Sequence, residues 1–224
     1  MTLESLYRDI VMYDYAIFIQ ARLGSTRFPR KVLYEMAGKK VLQHVIDACR
    51  DTGIQTFLLT PSSEVEEFRK NFDIEVFGGS EADVISRFHD CANKFNVKNI
   101  VRITSDCPCL TSEHIQIVVD EHRRNNQKFV SNVAYDDGSY QSLTPIPDGF
   151  DVEVFSFDIL NETINKTSDP LDREHVTRWM RKNIPVHIPK LSLSLFGKFS
   201  LDKIEDVEKI EKILQILSFI KTAR

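Results

Sequence analysis

No stretch of the 224-residue sequence stays apolar over the roughly 20 residues that a membrane-spanning helix requires. The N-terminus, MTLESLYRDIVMYDY, lacks the basic start, apolar middle and small-residue cleavage site of a secretory leader. We therefore expect no contact with a membrane and a cytoplasmic location. The first fifteen residues are predicted to form a short helical segment that precedes the fold.

Cysteine is scarce, and its placement excludes a disulfide framework in a chain of this length. Only Cys107 and Cys109 lie close together in sequence. The single residue between them, Pro108, gives neither the C-x-x-C redox spacing nor half of a zinc site. We expect these two, with Cys49 and Cys91, to be small buried hydrophobic side chains in a reducing compartment.

Positive charge is not in excess, since 29 Lys and Arg face 33 Asp and Glu for a net charge of −4. Nucleic-acid binding usually requires a basic face that displaces counterions, so none is predicted. The segment QARLGSTRFPRKVL nevertheless places four cations around one glycine and two hydroxyls: Arg22, Arg27, Arg30 and Lys31. A local basic cluster on an acidic chain indicates a small anionic ligand, and a solvated loop is the simpler alternative.

The sequence has no internal repeat and no low-complexity linker, and we predict one domain over residues 1–224. Up to about residue 127, apolar segments alternate with segments of helical periodicity. The predicted strands are YAIFIQA, QTFLLT, IEVFGG and NIVRITSD. The predicted helices are KKVLQHVIDACRDTG, PSSEVEEFRKNF (capped by Ser62 or Ser63), EADVISRFHDCANKF and TSEHIQIVVDEHRRN. This alternation is typical of a mostly parallel sheet covered on both faces.

The pattern changes after residue 127. KFVSNVAY and GFDVEVFSF read as strands of an antiparallel excursion over about residues 128–160, joined by the turn-rich stretch DDGSYQSLTPIPDG. The helix LDREHVTRWMRKN, the strands VHIPK and GKFSLD, and a final helix KIEDVEKIEKILQIL follow. The chain is thus predicted to be an α/β domain with an antiparallel excursion, a feature that often carries a dimer contact or covers a site.

Charged groups stand at the ends of three predicted strands, where open α/β sheets bind their ligands. They are the cationic segment, Asp106 after NIVRITSD, and Asp202 after GKFSLD. Each carboxylate has a structural alternative: Asp106 suits a turn before Pro108, and Asp202 with Glu205 fits a helix capping box. Two such carboxylates beside a cationic segment predict a magnesium–nucleotide site.

The cationic segment offers phosphate-binding groups without a common nucleotide motif. Neither the G-x-x-x-x-G-K-[ST] loop nor the G-x-G-x-x-G fingerprint is present. The D-x-D motif of GT-A glycosyltransferases is also missing after the fourth predicted strand, which disfavours that activity. A non-catalytic nucleotide-binding or scaffold protein is the alternative from another class, and the presence of Lys31, Asp106 and Asp202 disfavours it.

ARLGSTRFPRK, residues 21–31, resembles the signature A-R-x-x-S-x-R-x-P-x-K of cytidylyltransferases that make CMP-activated acidic keto sugars, the acylneuraminate and 3-deoxy-octulosonate type. GSEADVISRF, VRITSDCP, DGFDVEVF, REHVT and SLDKIEDVEKI resemble successive blocks of the spore-coat polysaccharide branch. The resemblance runs from about Tyr15 to Leu217. It implies a GT-A-like nucleotidyltransferase fold with a Rossmann-like sheet, CTP as donor, Mg²⁺ and frequently a homodimer.

The resemblance also implies roles for individual residues. The triphosphate ligands would be Arg22, Gly24, Ser25, Arg27 and Lys31, of which Lys31, Arg27 and Arg22 would act in catalysis. Asp106 and Asp202 would bind Mg²⁺. Further nucleotide contacts, to the base in the first two cases, would come from Thr60, Ser62 and Ser105.

Acceptor contacts are expected from the second half of the chain and from Arg87, whose alternative is a solvated helix face. DGFDVE offers Asp148, Asp151 and Glu153, and REHVTR offers Arg173, Glu174 and His175. Arg173 or Arg178 could clamp a carboxylate, and Glu174 with Arg178 could instead form a surface ion pair.

The predicted reaction transfers CMP from CTP to a small acidic 2-keto sugar and releases pyrophosphate, for surface polysaccharide or glycoconjugate synthesis. The octulosonate enzymes carry Q-G-D-E-P at the metal strand where this chain has TSDCP, which argues against octulosonate itself as the acceptor. The alternative is a cytidylyltransferase for a phosphomonoester or phosphonate acceptor, with a CDP-type product.

Overall fold

The computed structural model describes residues 12–125, 127–133, 144, 146–190 and 197–222. A six-stranded sheet in the order β5-β4-β1-β6-β8-β7 forms its centre, and β2 and β3 form a separate short hairpin. The strands are β1 (Tyr13–Gln20), β2 (Glu35–Met36), β3 (Lys39–Lys40), β4 (Gln55–Pro61), β5 (Glu75–Gly79), β6 (Val97–Thr104), β7 (Phe129–Ser131) and β8 (Glu153–Ser156). β1, β4, β5 and β6 run parallel, whereas β8 pairs antiparallel with both β6 and β7. The predicted fold class, a mostly parallel sheet with an antiparallel excursion, is confirmed.

Helices cover both faces of this sheet. They are α1 (Val41–Arg50), α2 (Val65–Asn71), α3 (Val84–Lys94), α4 (Ser112–Asn125), α5 (Phe157–Lys166), α6 (Pro170–Glu174), α7 (Arg178–Asn183) and α8 (Val207–Thr222). Alternate side chains of β1 enter opposite cores: Ile17 and Ile19 pack on one face, and Ala16 and Phe18 on the other. Both faces of the strand are therefore apolar, which explains its continuous hydrophobic sequence.

Two local predictions, on the apolar face of α1 and on the burial of the cysteines, are confirmed. On α1, the predicted apolar face is buried. The four cysteines are buried and free, as expected. Among the residues described, no helix is both long and apolar enough to cross a membrane.

The predicted helix LDREHVTRWMRKN is wrong in one respect, because the chain breaks it into α6 and α7. Val176, between them, has a φ of +46°, a conformation that costs energy for a β-branched residue. Its side chain is fully buried. The Val176 side chain thus packs in the core at the point where the backbone leaves the helical conformation. The helical periodicity of the sequence does not predict this interruption.

Two predicted strands of the C-terminal part are also wrong. VHIPK and GKFSLD contribute only isolated bridges, His187 to Val130 and Lys198 to Asp148. Each segment forms one isolated bridge, which is too little for a strand.

The predictions at the N-terminus and at two helix starts need correction. Residues 13–15 already belong to β1, so the expected helical segment does not include them, and residues 1–11 lie outside the described residues.

The expected side-chain caps at two helix starts are absent. Neither Ser62 nor Ser63 caps the helix that follows them. The backbone N–H groups of Asp202 and Lys203 donate to Asp206, and Asp202 is not the cap itself. Most of the predicted turn-rich stretch, residues 134–143 and 145, also lies outside the described residues.

Candidate active site

Three chain segments meet at the carboxyl ends of β1 and β6. These strands are neighbours in register, with Gln20 opposite Thr104, so the segments that follow them leave the sheet side by side. The Ser105 N–H donates to the Gln20 carbonyl over 3.1 Å. The third segment, residues 198–202, is tied to the second because the Leu201 N–H donates to the Asp106 carbonyl over 2.8 Å.

Lys31 lies at the centre of this meeting point. Its Nζ is 2.6 Å from Asp106 Oδ2 and 3.1 Å from Asp202 Oδ1. Arg27 Nη2 also reaches Asp202 Oδ1, at 2.9 Å, and Lys198 Nζ donates to the other oxygen of the same carboxylate. Lys31 and Asp202, which are 171 positions apart in sequence, thus belong to one cluster. It contains two carboxylates, Asp106 and Asp202, and three cations, Arg27, Lys31 and Lys198.

The charges in this cluster stabilise each other against partial burial. Burial alone would lower the pKa of Lys31, but Asp106 and Asp202 offset this effect and raise it above its ordinary value. Burial would likewise raise the pKa of Asp202, yet hydrogen bonds from Lys198 and Lys31 hold it below its usual range. Both groups are therefore charged at neutral pH.

Asp106 and Asp202 are suitable ligands for a divalent cation. Their oxygens approach one point, which the Lys31 ammonium fills in this structure. Among the residues described, no group of three or more His, Cys, Asp or Glu side chains could hold a metal ion. Mg²⁺ commonly takes one or two carboxylates and completes its shell with water and substrate phosphates. A two-carboxylate site with open positions therefore fits Mg²⁺ bound together with a nucleotide.

The backbone of the cationic segment is anchored to the fold by hydrogen bonds, while Gly24 borders open space. The Leu23 N–H donates to Glu64 Oε2 over 2.8 Å, and the Arg30 N–H donates back to the Leu23 carbonyl over 3.0 Å. A Cβ placed on Gly24 would meet no atom within 4 Å. The fold itself therefore does not require glycine at this position, and close approach of a ligand would account for it.

The remaining predicted nucleotide ligands differ in their exposure. Arg22 is exposed and forms an ion pair with Glu174 at 3.3 Å, while Ser25 Oγ accepts from the Phe28 N–H at 3.4 Å. Thr60 is fully buried, and its hydroxyl donates to Glu64 Oε2 over 3.2 Å. Ser62 is exposed at the same edge, whereas Ser105 is buried.

Arg87 is buried, so its alternative description as part of a solvated helix face is wrong. Its guanidinium donates to the Ser80 carbonyl through Nε (3.0 Å) and Nη2 (2.6 Å), and to the Leu59 carbonyl through Nη1 (3.4 Å). Burial lowers the pKa of Arg87 to about 10. A Cβ on Gly79 would lie 2.8 Å from Arg87 Cγ, so this glycine makes room for the arginine.

Glu153 is fully buried, and its oxygens are bound by protein groups. Oε2 accepts from Arg102 (2.7 Å) and the Thr177 hydroxyl (3.0 Å), and Oε1 accepts from Arg181 Nη2 (2.6 Å). Burial opposes ionisation, but Arg181 and Arg102 hold the pKa of Glu153 below its ordinary value. The expected contact between Glu153 and an acceptor has no support in this geometry, because its carboxylate faces protein cations.

The REHVTR residues lie beside the cationic segment, but not in the pairing expected. Arg178 binds Asp172 at 2.5 Å and Asp169 at 3.3 Å, so the suggested Glu174–Arg178 ion pair is wrong: the helix breaks between the two residues. Glu174 instead reaches Arg22 from α6.

Three further acceptor ligands are expected from the sequence: Arg173, His175 and Asp151. Arg173 lies 3.5 Å from Asp83, the N-cap of α3. His175 and Asp151 are partly exposed, and burial lowers the pKa of His175.

Sequence reasoning missed Lys198 and underrated Asp148. Asp148 Oδ2 accepts from Ser200 over 2.7 Å. Burial raises the pKa of Asp148, and the charges of Asp106 and Asp202 add to this effect. The backbone N–H of Phe199 donates to the Asp148 carbonyl over 2.7 Å. The DG pair at the start of the predicted strand GFDVEVFSF was the available signal, because Gly149 has a φ of +100° and a Cβ there would clash with the carbonyl carbon of Phe199.

Residues 16–220 match the cytidylyltransferase family. An uncharacterized protein of Methanocaldococcus jannaschii is 30% identical over 74% of this chain, which spans 66% of that protein's length. The spore coat polysaccharide biosynthesis protein SpsF of Bacillus subtilis is 27% identical over 77% of this chain and 72% of its own length. A 3-deoxy-manno-octulosonate cytidylyltransferase of Acidobacterium capsulatum is 37% identical, but over only 43% of this chain and 41% of that enzyme.

Solved structures show the same fold. A cytidylyltransferase from Leptospira borgpetersenii superimposes with a TM-score of 0.77 at 25% identity, over 94% of this chain and 95% of that one. A CMP:2-keto-3-deoxy-manno-octonic acid synthetase complexed with CTP gives 0.67 at 17% identity, over 91% and 99%. A Mycobacterium tuberculosis protein in complex with manganese gives 0.62 at 15% identity, over 89% and 98%. The fold, the family signature and its match over nearly the whole chain lead to one conclusion: this chain belongs to the cytidylyltransferase family.

Proposed function

We propose that this protein transfers CMP from CTP to an acidic 2-keto sugar of the ulosonic or nonulosonic type and releases pyrophosphate. The product would serve surface polysaccharide or glycoconjugate synthesis. The relatives named for octulosonate and for spore-coat polysaccharide support this substrate class.

One observation carries the proposal: Lys31 and Arg27 meet Asp106 and Asp202 at the carboxyl edge of the sheet. The cations suit a triphosphate, and the carboxylates suit the divalent cation that accompanies it. Gly24 lies in the same segment and leaves space at the open side of the site.

In the proposed reaction, an acceptor oxygen attacks the α-phosphorus of CTP in line and pyrophosphate leaves. The protein's part in such a transfer is mainly to position the reactants and neutralise charge. Lys31 and Arg27 would stabilise negative charge on the α-phosphate and on the departing pyrophosphate, and Arg22 would hold the triphosphate from the exposed side.

Asp106 and Asp202 would hold Mg²⁺. When bound, the ion would supply charge neutralisation at the phosphates and would lower the pKa of the acceptor hydroxyl. Because Lys31 lies between the two carboxylates in this structure, it would give up that place and turn its ammonium towards the phosphates.

On the acceptor side, we propose that His175, Arg173, Glu174 and Asp151 face the sugar. The ion pair between Arg22 and Glu174 brings this group beside the nucleotide segment. Arg173 would be the carboxylate clamp, because its ion pair with Asp83 is long, at 3.5 Å, whereas Arg178 is held by two carboxylates, Asp172 at 2.5 Å and Asp169 at 3.3 Å.

We also propose a homodimer that forms along the antiparallel side of the sheet, where β7 is the edge strand. Four free cysteines suit a reducing compartment, which supports a cytoplasmic location.

The test is pyrophosphate release from Mg²⁺–CTP with two acceptor panels: 2-keto sugar acids of eight and nine carbons, and small phosphorylated or phosphonate molecules. UTP and ATP replace CTP in the controls. We expect turnover with CTP and a keto acid. Turnover with the phosphorylated panel alone would contradict the proposed substrate class while keeping the cytidylyl transfer.

A further inference from the structure

The Glu64 side chain connects the cationic segment to the end of β4. Glu64 lies in a 3₁₀ turn directly after that strand. Its Oε2 accepts from the Leu23 N–H at 2.8 Å and from the Thr60 hydroxyl at 3.2 Å. A single carboxylate oxygen therefore joins the backbone between Arg22 and Gly24 to a strand of the central sheet.

A second connection runs parallel to this one. The Ala21 N–H donates to the Leu59 carbonyl over 3.0 Å, and the same carbonyl accepts from the buried Arg87. Burial lowers the pKa of Arg87, and the negative charge of Glu64 opposes that shift, so the two side chains also interact electrostatically. The backbone of residues 21–23 is thus held at both ends, at Ala21 by the Leu59 carbonyl and at Leu23 by Glu64.

An acidic residue in this place would ordinarily be explained by the helix that follows. Carboxylates near a helix N-terminus are favoured by the helix dipole and often cap its free N–H groups. Glu64 precedes α2 directly, yet its side chain caps none of the N–H groups of that helix. Its carboxylate instead accepts from Thr60 at the end of β4 and from Leu23, 41 residues earlier in the chain.

We propose that Glu64 is a positioning residue of the nucleotide site. It fixes the Leu23 amide, and with it the flanking Arg22 and Gly24, in the conformation that receives the triphosphate. Glu64 itself contacts neither CTP nor the acceptor. This inference rests on the proposed function, because the segment that Glu64 holds is the proposed triphosphate site.

Two variants of Glu64 and one matched control test the proposal. Glu64→Ala removes the acceptor, Glu64→Gln keeps one acceptor oxygen without the charge, and Glu66→Ala removes a nearby acid that forms only a surface ion pair with Arg69 among its described contacts. Amide hydrogen exchange of residues 21–25 reports the loop directly, and calorimetry with Mg²⁺–CTP reports affinity. Thermal unfolding monitors the fold of every variant.

For Glu64→Ala we expect faster hydrogen exchange at the Leu23 amide and about tenfold weaker CTP binding. The Leu23 N–H would lose its charged acceptor, so the backbone of residues 21–25 would no longer be fixed. Glu64→Gln should restore affinity to within about threefold of the wild type. Glu66→Ala should match the wild type in both measurements.

The proposal is overturned if Glu64→Ala equals Glu66→Ala in both exchange and affinity. If Glu64→Ala fails to fold, Glu64→Met, which keeps the length of the side chain without an acceptor oxygen, is compared with Glu66→Met, and equality of those two in exchange and affinity overturns the proposal. Hydrogen exchange needs no nucleotide. A wild type that bound no CTP would contradict the proposed function, while the exchange data would still decide whether Glu64 holds the loop.

Discussion

At the scale of single residues, Lys31 lies between the two carboxylates of the site. Its ammonium bridges two carboxylates whose neighbours Arg27 and Lys198 supply further positive charge. This arrangement explains why a chain of net negative charge places cations directly after its first strand: they meet acids that arrive from distant parts of the sequence.

Lys31→Ala should lower turnover by at least about 100-fold, the usual loss when a group that stabilises transition-state charge is removed. The fold should persist, because Arg27 and Lys198 still neutralise Asp202. Pyrophosphate release and thermal unfolding measure the two effects. Lys39→Ala is the control, since Lys39 forms only an exposed ion pair with Asp47 among its described contacts. Equal turnover in the two variants would remove Lys31 from the reaction.

Gly24→Ala separates binding from folding. Because the new Cβ would meet no protein atom within 4 Å, stability should stay within about 0.5 kcal/mol of the wild type. The methyl group would instead obstruct the ligand, and we expect CTP affinity to fall by about tenfold, measured by calorimetry.

Gly78→Ala serves as the comparison, because its new methyl group should affect stability, whereas that of Gly24→Ala should affect CTP binding. Its Cβ would lie 2.6 Å from Val65 Cγ2 and 3.1 Å from the Ser62 Cα, so overpacking should cost about 1–3 kcal/mol of stability in denaturant unfolding. Unchanged CTP binding in Gly24→Ala would show that no ligand approaches this glycine.

At the scale of elements, a buried ion network ties β8 to β6 and α7. Glu153 on β8 lies between Arg102 on β6 and Arg181 on α7, and Thr177 completes its hydrogen bonds. The alternation in DVEVF shows that Glu153 shares a strand with apolar residues. It does not show that the acid faces inward, because the two arginines that neutralise it come from elsewhere in the chain.

Glu153→Gln should destabilise the protein by roughly 3–5 kcal/mol, because the partly buried Arg102 and Arg181 would lose their counter-charge at a fully buried position. The folded-state pKa of Glu153 lies below its unfolded value, so its charge stabilises the fold above the unfolded pKa. That contribution disappears as the pH falls through the folded pKa. Denaturant unfolding from pH 7 to pH 3 should therefore show a smaller loss of stability in the variant.

The exposed Glu208, which pairs with Lys212 one helical turn away, gives the control Glu208→Gln. This variant should follow the wild-type curve over the same pH range. Curves of equal slope for Glu153→Gln and the wild type would contradict the role assigned to the buried network.

The helices and the four strands of the main sheet up to residue 125 could be predicted from sequence, because hydrophobic periodicity is strong wherever each element buries one face. The short hairpin of β2 and β3 was missed, and its Lys39 and Lys40 were assigned to the helix that follows. Periodicity failed after β8 for identifiable reasons. Val176 takes a positive φ that breaks the predicted helix, and the segment of Lys198 makes one backbone bridge in place of a strand. These conformations depend on contacts between distant segments, and no local pattern encodes such contacts.

At the scale of the whole molecule, the site exists only because three segments meet at one edge of the sheet. Sequence reasoning could anticipate Lys31 and Asp106, since they follow β1 and β6 and the carboxyl ends of parallel strands share an edge. It reached Asp202 through a predicted strand that the structure replaces with an isolated bridge. It could not anticipate Glu64 or Lys198, because their contacts depend on the conformation of the loop segments that carry them and their partners. Burial of Arg87 was equally hidden, because it depends on the glycine that opens space at the end of β5.

The most direct test of the central claim, a metal–CTP site at this edge, is calorimetric titration of CTP with Mg²⁺ and with EDTA. It compares the wild type with the Asp106→Asn/Asp202→Asn double variant, and UTP serves as the control nucleotide. We predict that the wild type prefers CTP and binds it more tightly with Mg²⁺, and that the double variant loses this metal dependence. A double variant with the wild-type ratio of the two affinities would contradict the account.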